Sequence, residues 1–299
     1  MTATPRSTVD ALPRGDVLFL LPHPDDELFV LPRIIFEHRA QARCWCVFTT
    51  SGECHGVRAE TRANESLRTL RRIGIPDEQI VFVGAAAEVR SSALINNMDR
   101  VYDRLQTLVA GRTLGAIYTS AYEGGHPDHD ATFFLAQQLA VSAETTCALL
   151  EYYCYNGFAA YFMLPYRVMA PIALRLLTRR VSWGDAWRTV SSVRNYRSQA
   201  RSWLGLFGGL CWQTLILRTE RLHPTTLPRP LERPHAGRLF YEGRFHLSYD
   251  VFEAAIVTWL GRIANGDPIT LGARSNGATH IDTPAHAATK TPRSALNSP

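Results

Sequence analysis

Lysine is almost absent from this 299-residue sequence: Lys290 is the only one. Arginine therefore supplies nearly all of the positive charge. Long apolar runs are missing as well. A membrane-spanning helix needs about 18 or more apolar residues in succession. The nearest candidate, residues 161–181, is interrupted by Pro165, Arg167, Pro171 and Arg175. The sequence therefore predicts no membrane-spanning helix.

Three further absences narrow the class of protein. Residues 1–16 are polar and lack the apolar core of a secretion signal. The six cysteines do not have the spacing of a zinc ribbon or a redox pair, and Cys44 and Cys46 alternate as on one face of a strand. No Gly-x-Gly-x-x-Gly follows the first predicted strand, which argues against a dinucleotide site. We expect free thiols in a reducing, cytoplasmic compartment.

Residues 16–156 alternate between apolar runs and segments with helical spacing. Strands are predicted at 17–21, 44–50, 79–83, 115–119 and 148–155, and helices at 26–40, 58–73, 92–110 and 129–140. Continuous apolar strands indicate a sheet that is buried on both faces. The alternation predicts a Rossmann-like α/β fold with a mostly parallel sheet flanked by helices.

The second half of the chain has a different composition. Residues 157–235 are rich in arginine, tryptophan and proline and predict irregular helices, followed by a last helix at 249–260. We therefore predict these divisions: a flexible N-terminus (1–15), one domain (16–264) with a catalytic core (16–156) and a variable substrate-side region with extra helices (157–264), and a disordered tail (265–299).

Charge is unevenly distributed along the chain. Residues 160–234 contain twelve arginines and three acidic residues, a local charge of +9 in a chain of net charge +5. Two interpretations are open: solvated helix faces, or peripheral contact with an anionic membrane or substrate. We expect no nucleic-acid partner.

Two short motifs, His23–Glu27 and His126–Asp130, each follow a predicted strand directly. Ligands of open parallel sheets bind at the carboxyl ends of the strands, where the strand order reverses. The first and fourth strands often flank that point. We therefore expect the two motifs to meet in one crevice.

The spacing within each motif suits a metal site. Residues three apart on a first helical turn share a side, as His23 and Asp26 do, and as His126 and His129 do. A proline follows each leading histidine, and proline is favourable at the first helical position. Catalytic zinc takes three protein ligands and one water. The expected ligands are His23, Asp26 and one of the second motif's two histidines.

The remaining groups suit hydrolysis. Asp25 is placed to accept a proton from a zinc-bound water. The histidine that does not bind metal would stabilise an oxyanion and protonate the leaving nitrogen. Asp128 or Asp130 would orient it. A simpler interpretation of a single His-Pro-Asp-Asp sequence is a helix cap, but two such motifs after buried strands favour a site.

The motifs resemble those of a known family. Pro22–Glu27 and Gly125–His129 are similar to the two signature motifs of the PIG-L or LmbE-like de-N-acetylases, zinc hydrolases that remove the acyl group from N-acetylglucosamine in varied conjugates. The resemblance covers residues 17–156, including Thr49–Glu53 and Arg62–Gly74. Tyr196–Gln199 resembles a further short motif of many members. Ser51 stands where the family often has aspartate, and the chain after Asn156 matches poorly.

This resemblance assigns roles to residues. It implies one zinc ion per chain, bound by His23, Asp26 and His129. Asp25 would be the general base, and His126 would stabilise the oxyanion or act as the acid. Arg62 falls near a family arginine that contacts the substrate, although Arg58 competes for that place.

Two further residue sets outside the motifs are candidates for substrate contact. Glu123 precedes two glycines, which allow a ligand to approach the backbone closely, and is a candidate for binding a sugar hydroxyl. The tryptophans of the second half would line a sugar or acyl pocket or, more commonly, pack in the core: Trp183, Trp187, Trp203 and Trp212.

The leading prediction is a zinc-dependent amidase that removes an N-acetyl or other N-acyl group from an amino-sugar conjugate. Two alternatives remain. Two histidines and one carboxylate also describe the non-haem iron oxygenases, although their scaffold is usually a β-barrel. The second alternative is a non-catalytic interaction protein that a metal stabilises. It would be peripheral to membranes through residues 160–234.

Overall fold

Five parallel strands form the centre of the molecule. The computed structural model describes residues 15–143, 147–158, 166–173 and 175–265. The strands are β1 (Asp16–Leu21), β2 (Cys44–Phe48), β3 (Ile80–Val81), β4 (Leu114–Ser120) and β5 (Ala148–Tyr152), in the order β3-β2-β1-β4-β5. Their side chains are almost all buried, as expected of a parallel sheet covered on both faces. The predicted α/β fold is confirmed.

Helices cover both faces of this sheet. They are α1 (Glu27–Arg39), α2 (Ala59–Arg72), α3 (Val83–Ala86), α4 (Met98–Val109), α5 (Pro127–Ser142), α6 (Trp183–Ser192), α7 (Ala200–Cys211), α8 (Phe240–Arg244) and α9 (Tyr249–Asn265). One core lies between the sheet and α1, α2, α6 and α7, and the other beneath α3, α4, α5, α8 and α9. Cys44 and Cys46 share the first core, and all six cysteines are free thiols, as predicted.

The second half of the chain extends the sheet, which the sequence did not predict. Strands β8 (Leu177–Arg180) and β9 (Thr219–Pro224) add to β5 as antiparallel strands, giving the order β5-β9-β8. Strands β6 (Tyr155–Asn156) and β7 (Arg167–Val168) form a separate antiparallel pair. The prediction of irregular helices alone was therefore wrong here. Strand β8 gives no apolar signal because it is an edge strand, where charged side chains are favoured.

Other boundaries differ in detail. Helix α4 begins at Met98, because residues 92–97 form a turn with a short 3-10 segment instead of the predicted first helical turns. The predicted flexible N-terminus up to residue 14 and the predicted tail from residue 266 lie outside the described residues. The sheet contains strands from before and after residue 157. The predicted boundary there, between a catalytic core and a substrate-side region, stays a prediction. Among the described residues, no helix is both long and apolar enough to cross a bilayer.

The strand order reverses between β1 and β4. These strands are neighbours, with Leu20 paired to Thr119 near their carboxyl ends. β2 lies beyond β1, whereas β5 lies beyond β4. The two motifs leave the sheet at this shared edge, which is where a crevice is expected in an open α/β sheet.

Candidate active site

Both motifs form the turn from a strand into a helix. Asp26 is the residue before α1, and its carboxylate accepts a hydrogen bond from the backbone N–H of His23 at 2.9 Å. His126 caps α5: its Nδ1 accepts from the Asp128 backbone N–H at 3.1 Å, and Pro127 occupies the first helical position. Proline is favourable there because its missing N–H would be unpaired. The second motif therefore has the predicted local structure, whereas in the first motif α1 begins at Glu27 and Pro24 lies in the turn before it.

Three side chains from the two motifs converge on one point. Asp26 Oδ2 lies 3.0 Å from His23 Nδ1 and 3.1 Å from His129 Nε2, and the two histidine nitrogens are 3.3 Å apart. Zinc binds such atoms at about 2.0–2.2 Å, so tetrahedral geometry places ligand atoms roughly 3.3 Å from each other. The triangle fits one zinc-sized cation.

The outer ring nitrogen of His23 is held by a carboxylate. His23 Nε2 lies 2.9 Å from Asp128 Oδ2, which also accepts from the Ser92 backbone N–H, while Oδ1 accepts from the N–H of Leu94. With its proton on Nε2, His23 presents an Nδ1 lone pair to the triangle, as metal-bound histidines do. His126, Asp128 and His23 form a second cluster of donor atoms, but these atoms already bond to each other. The first triangle is therefore the better cation site.

Charge at the triangle favours a cation. Burial alone would lower the pKa of His23, but Asp26 and Asp128 outweigh it and raise that pKa to about 10. Burial would raise the pKa of Asp26, yet the neighbouring His129 and His23 hold it well below its usual range. Two buried carboxylates thus create a negative potential where a divalent ion would bind.

Asp25 lies beside the triangle and is held on both oxygens. Arg62 Nη2 donates to Oδ1 at 2.5 Å, and Trp203 Nε1 donates to Oδ2 at 3.1 Å. The Asp25 backbone N–H donates to Glu27 at 2.8 Å. Burial raises the pKa of Asp25 to about 6, against the opposing effect of Arg62. A carboxylate oriented in this way suits proton transfer near neutral pH.

His126 lies on the other side of the crevice. Its ring centroid is 4.5 Å from that of His23 and 4.4 Å from that of Phe245. Burial, with His23 nearby, holds its pKa well below the usual value, so the ring is neutral. Because Nδ1 accepts from the Asp128 N–H, the proton of the neutral ring is on Nε2. In the described part of the chain no group bonds to Nε2, which leaves this N–H to donate to a ligand.

The structure corrects three of the predicted roles. Arg62 is buried, and its guanidinium binds Asp25 and the carbonyls of Pro24 and Gly52, so it positions Asp25 and does not face a ligand; the competing Arg58 is exposed. Glu123 is fully buried. Its oxygens accept from Cys154 N, Tyr155 N and Asn156 Nδ2, so it has no free face for a sugar hydroxyl.

The carboxylates of the second motif also differ from expectation. The Asp128 side chain bonds to His23. Its backbone N–H donates to His126 Nδ1, and its Oδ2 lies 3.8 Å from that same nitrogen. Asp130 accepts from the backbone N–H groups of Glu123 and Gly124 and fixes that turn. Their hydrogen bonds thus go to His23 and to the turn at Glu123 and Gly124, whereas we expected a hydrogen bond from one of them to His126. The sequence did not indicate these partners, because spacing alone does not show which groups a buried carboxylate reaches.

Tyr196–Gln199 attaches the second half of the chain to the site. Tyr196 donates to Glu27 at 2.6 Å, and Ser198 donates through its N–H and hydroxyl to Glu65 on α2. Helix α7 begins directly afterwards and carries Trp203 to Asp25. The sequence did not predict the contact of Trp203, because no spacing connects residue 203 with residue 25.

The fold and the site together define a class: an α/β protein with two histidines and one carboxylate that could hold a cation at the reversal point of its sheet. Comparison with known families is consistent with this class. Residues 18–140 match the family described as PIG-L: GlcNAc-PI de-N-acetylase. The predicted resemblance is confirmed as a match of residues 18–140 to this family's model. No curated protein matches the sequence significantly.

Solved structures of similar fold match more of this chain than residues 18–140. The pseudoaglycone deacetylase Dbv21 has 16% identity and a TM-score of 0.51, over 71% of this chain and 97% of its own. The zinc-inhibited form of teicoplanin deacetylase Orf2 has 12% identity and a TM-score of 0.51, over 71% and 99%. N,N'-diacetylchitobiose deacetylase from Pyrococcus horikoshii has 15% identity and a TM-score of 0.53, over 75% and 87%. At these identities the likeness establishes the fold.

Proposed function

We propose that this protein is a zinc-dependent deacetylase that hydrolyses the N-acetyl or N-acyl group of an N-acetylglucosamine-type sugar within a small-molecule conjugate. The observation that carries the proposal is the triangle of His23 Nδ1, Asp26 Oδ2 and His129 Nε2, with Asp25 fixed beside it. The PIG-L family match supports the reaction type. The similar structures are named for deacetylation of sugar-bearing compounds, which supports the substrate class.

His23, Asp26 and His129 would hold the ion. When bound, zinc supplies Lewis-acid chemistry: it lowers the pKa of water and polarises the amide carbonyl. Asp25 accepts a proton from the water as its oxygen attacks the amide carbon. The His126 Nε2–H donates a hydrogen bond to the amide oxygen as negative charge develops there. When the C–N bond breaks, the nitrogen receives the proton that Asp25 took from the water, and the products are a carboxylate and an amine.

The direct test is amine release from a panel of N-acetylglucosamine conjugates. We expect release that stops on chelation and returns with zinc, added as a concentration series because one similar structure is described as zinc-inhibited. Release that is unaffected by complete metal removal would contradict the metal dependence. Iron in protein purified without added metal, together with consumption of 2-oxoglutarate, would instead indicate an oxygenase.

Asp25→Asn separates catalysis from metal binding. We expect kcat to fall by about a hundred- to ten-thousand-fold, the usual contribution of a general base, while the zinc content stays at one ion per chain. The matched control is Asp77→Asn, because Asp77 is an exposed aspartate paired with Arg71 on the surface. If Asp25→Asn hydrolyses the substrate like the parent, the assignment of the base is wrong.

A further inference from the structure

Large apolar side chains are concentrated on one outer segment of the chain. Of the eleven large hydrophobic side chains that are exposed among the described residues, seven lie between residues 183 and 217: Trp183, Trp187, Leu204, Phe207, Trp212, Ile216 and Leu217. Leu204 is 86% exposed and Trp187 is 66% exposed. The ordinary expectation that these tryptophans pack in the core holds only for Trp203. A concentration of this kind on a surface indicates an interaction.

These side chains belong to helices that pack on each other. Helix α7 continues as a π-helical turn, Trp212–Ile216, and both pack against α6. Leu204, Trp212 and Ile216 recur at intervals of four and eight residues along this continuous helix, so they form one stripe. Trp183 and Trp187 are four apart on α6. We call the exposed faces of α6, α7 and the π-helical turn the outer helix surface.

The charges around the outer helix surface have one sign. Every exposed charged side chain between residues 175 and 218 is an arginine: Arg175, Arg180, Arg188, Arg194, Arg197 and Arg201. The one acidic residue there, Asp185, is buried and bonded to Arg39 and Arg188. The Arg218 guanidinium lies 4.4 Å above the Trp183 ring. The surface therefore combines apolar anchors with uncompensated positive charge.

We propose that the outer helix surface docks this protein onto an anionic lipid bilayer. Tryptophan favours the headgroup depth, leucine and isoleucine favour the acyl boundary, and arginine binds lipid phosphates. A second copy of this chain is a poorer occupant, because it would bring two sets of arginines together. A nucleic acid would satisfy the arginines but leave Leu204 and Ile216 in water. The inference does not depend on the proposed deacetylase activity.

Sedimentation of the full-length protein with vesicles tests the proposal. We expect binding to vesicles of phosphatidylglycerol and phosphatidylcholine that is at least about tenfold tighter than to phosphatidylcholine alone. Raising the salt should weaken that binding, because exposed charges are screened. Equal binding to both vesicle types, or no binding to either, would overturn the inference.

Two variants locate the surface. Leu204→Ser/Trp212→Ser should weaken binding about tenfold or more. Arg194→Gln/Arg197→Gln/Arg201→Gln should weaken it about a hundredfold at low salt, since each cationic side chain near an anionic surface contributes about fivefold. The second variant leaves every apolar side chain in place, so it remains informative if the first one unfolds.

The matched control is Val251→Ser/Val257→Ser, which removes two valines on α9 that are 58% and 56% exposed. It should bind vesicles like the parent. An equal loss of vesicle binding in this control would contradict the proposal. A dimer in sedimentation equilibrium that the substitution Leu204→Ser/Trp212→Ser dissociates would also contradict it. The readout is binding, so failure of the deacetylase proposal would leave this test unaffected.

Discussion

Asp25 has an unusual backbone for a non-glycine residue, with φ = 141°. Such a conformation costs on the order of 1–3 kcal/mol and persists only where the surroundings enforce it. Here they do: Arg62 from α2, Trp203 from α7 and Glu27 from the start of α1 each bond to it. Strain held by three separate elements beside the candidate cation site supports the proposal that the direction of this carboxylate matters for function.

Trp203 should act on the reaction only through Asp25. Trp203→Phe keeps an aromatic ring but removes the N–H donor, and a hydrogen bond to a charged group contributes about 1.5–3 kcal/mol. We expect kcat to fall about ten- to hundredfold, with KM and zinc content unchanged. Steady-state kinetics and metal analysis would check this.

Trp212→Phe is the matched control for that substitution, because Trp212 lies on the same continuous helix but is exposed. It should leave both kinetic constants unchanged. If Trp203→Phe raises KM and leaves kcat as it was, Trp203 contacts the substrate instead of positioning Asp25.

At the scale of elements, the loop after β2 holds Arg62 in place. Gly52 has φ = +68°, and its carbonyl accepts from Arg62 at 2.6 Å. A Cβ at this position would lie 2.7 Å from Pro24 Cδ and 2.9 Å from Arg62 Nη1. Glycine is therefore needed here for space as well as for conformation.

The same loop contains its own control. Gly56 has φ = +78°, but a Cβ there would meet nothing within 4 Å. Both Gly52→Ala and Gly56→Ala should lose about 1 kcal/mol or more of stability for the left-handed backbone. Only Gly52→Ala should also lower kcat, because only it displaces Arg62 and hence Asp25. Equal kinetic effects in the two variants would argue against this role of the loop.

Glu123 accepts hydrogen bonds that connect the turn before α5 with the segment after β5. Glu123→Ala would remove the acceptor of the Cys154 and Tyr155 N–H groups and one of the two acceptors of the Asn156 amide, which also donates to the Ala170 carbonyl. Each buried donor left unpaired costs about 1–3 kcal/mol, so we expect a loss of at least about 3 kcal/mol in denaturant unfolding.

The kinetic outcome for Glu123→Ala distinguishes a structural role from a substrate role. The KM of the protein that remains folded should be unchanged, and a raised KM would return Glu123 to the substrate contacts. Glu88→Ala is the control, because that side chain is exposed and should change stability by no more than about 0.5 kcal/mol.

At the scale of the whole molecule, the cation site connects the two halves of the parallel sheet. Its ligands follow β1 and β4, so an ion bound there would join segments about a hundred residues apart. An ion that binds only the folded state at a thousand times its Kd stabilises by about 4 kcal/mol. We expect chelation to lower Tm by about 10 °C, and the affinity for zinc to rise with pH because histidine binds the ion in its neutral form.

Single histidine variants check that expectation. His129→Ala should show no change in Tm with zinc, whereas His55→Ala, at an exposed position, should respond like the parent. Differential scanning calorimetry with and without chelator measures both. A zinc response that survives His129→Ala would place the ion elsewhere.

The sequence by itself determined the parallel sheet and the position of both motifs. Buried parallel strands need continuous apolar runs, and the turn into a helix needs its proline and capping residues, so these features are local and can be recognised from the chain alone. Strands β8 and β9 have no such pattern: β8 is the edge strand, β9 is the antiparallel strand between β8 and β5, and both carry arginines. For that reason the sequence predicted helices where the structure has two strands.

Only the tertiary structure decided what each polar side chain reaches. Spacing brings His23 near Asp26, but the chain crosses the sheet before His129 and Asp128 meet them. Likewise, only packing places Arg62 and Trp203 on Asp25 and buries Glu123. A side chain's hydrogen-bond partner depends on distances between elements that are far apart in the sequence, and those distances are set when the helices pack on the sheet.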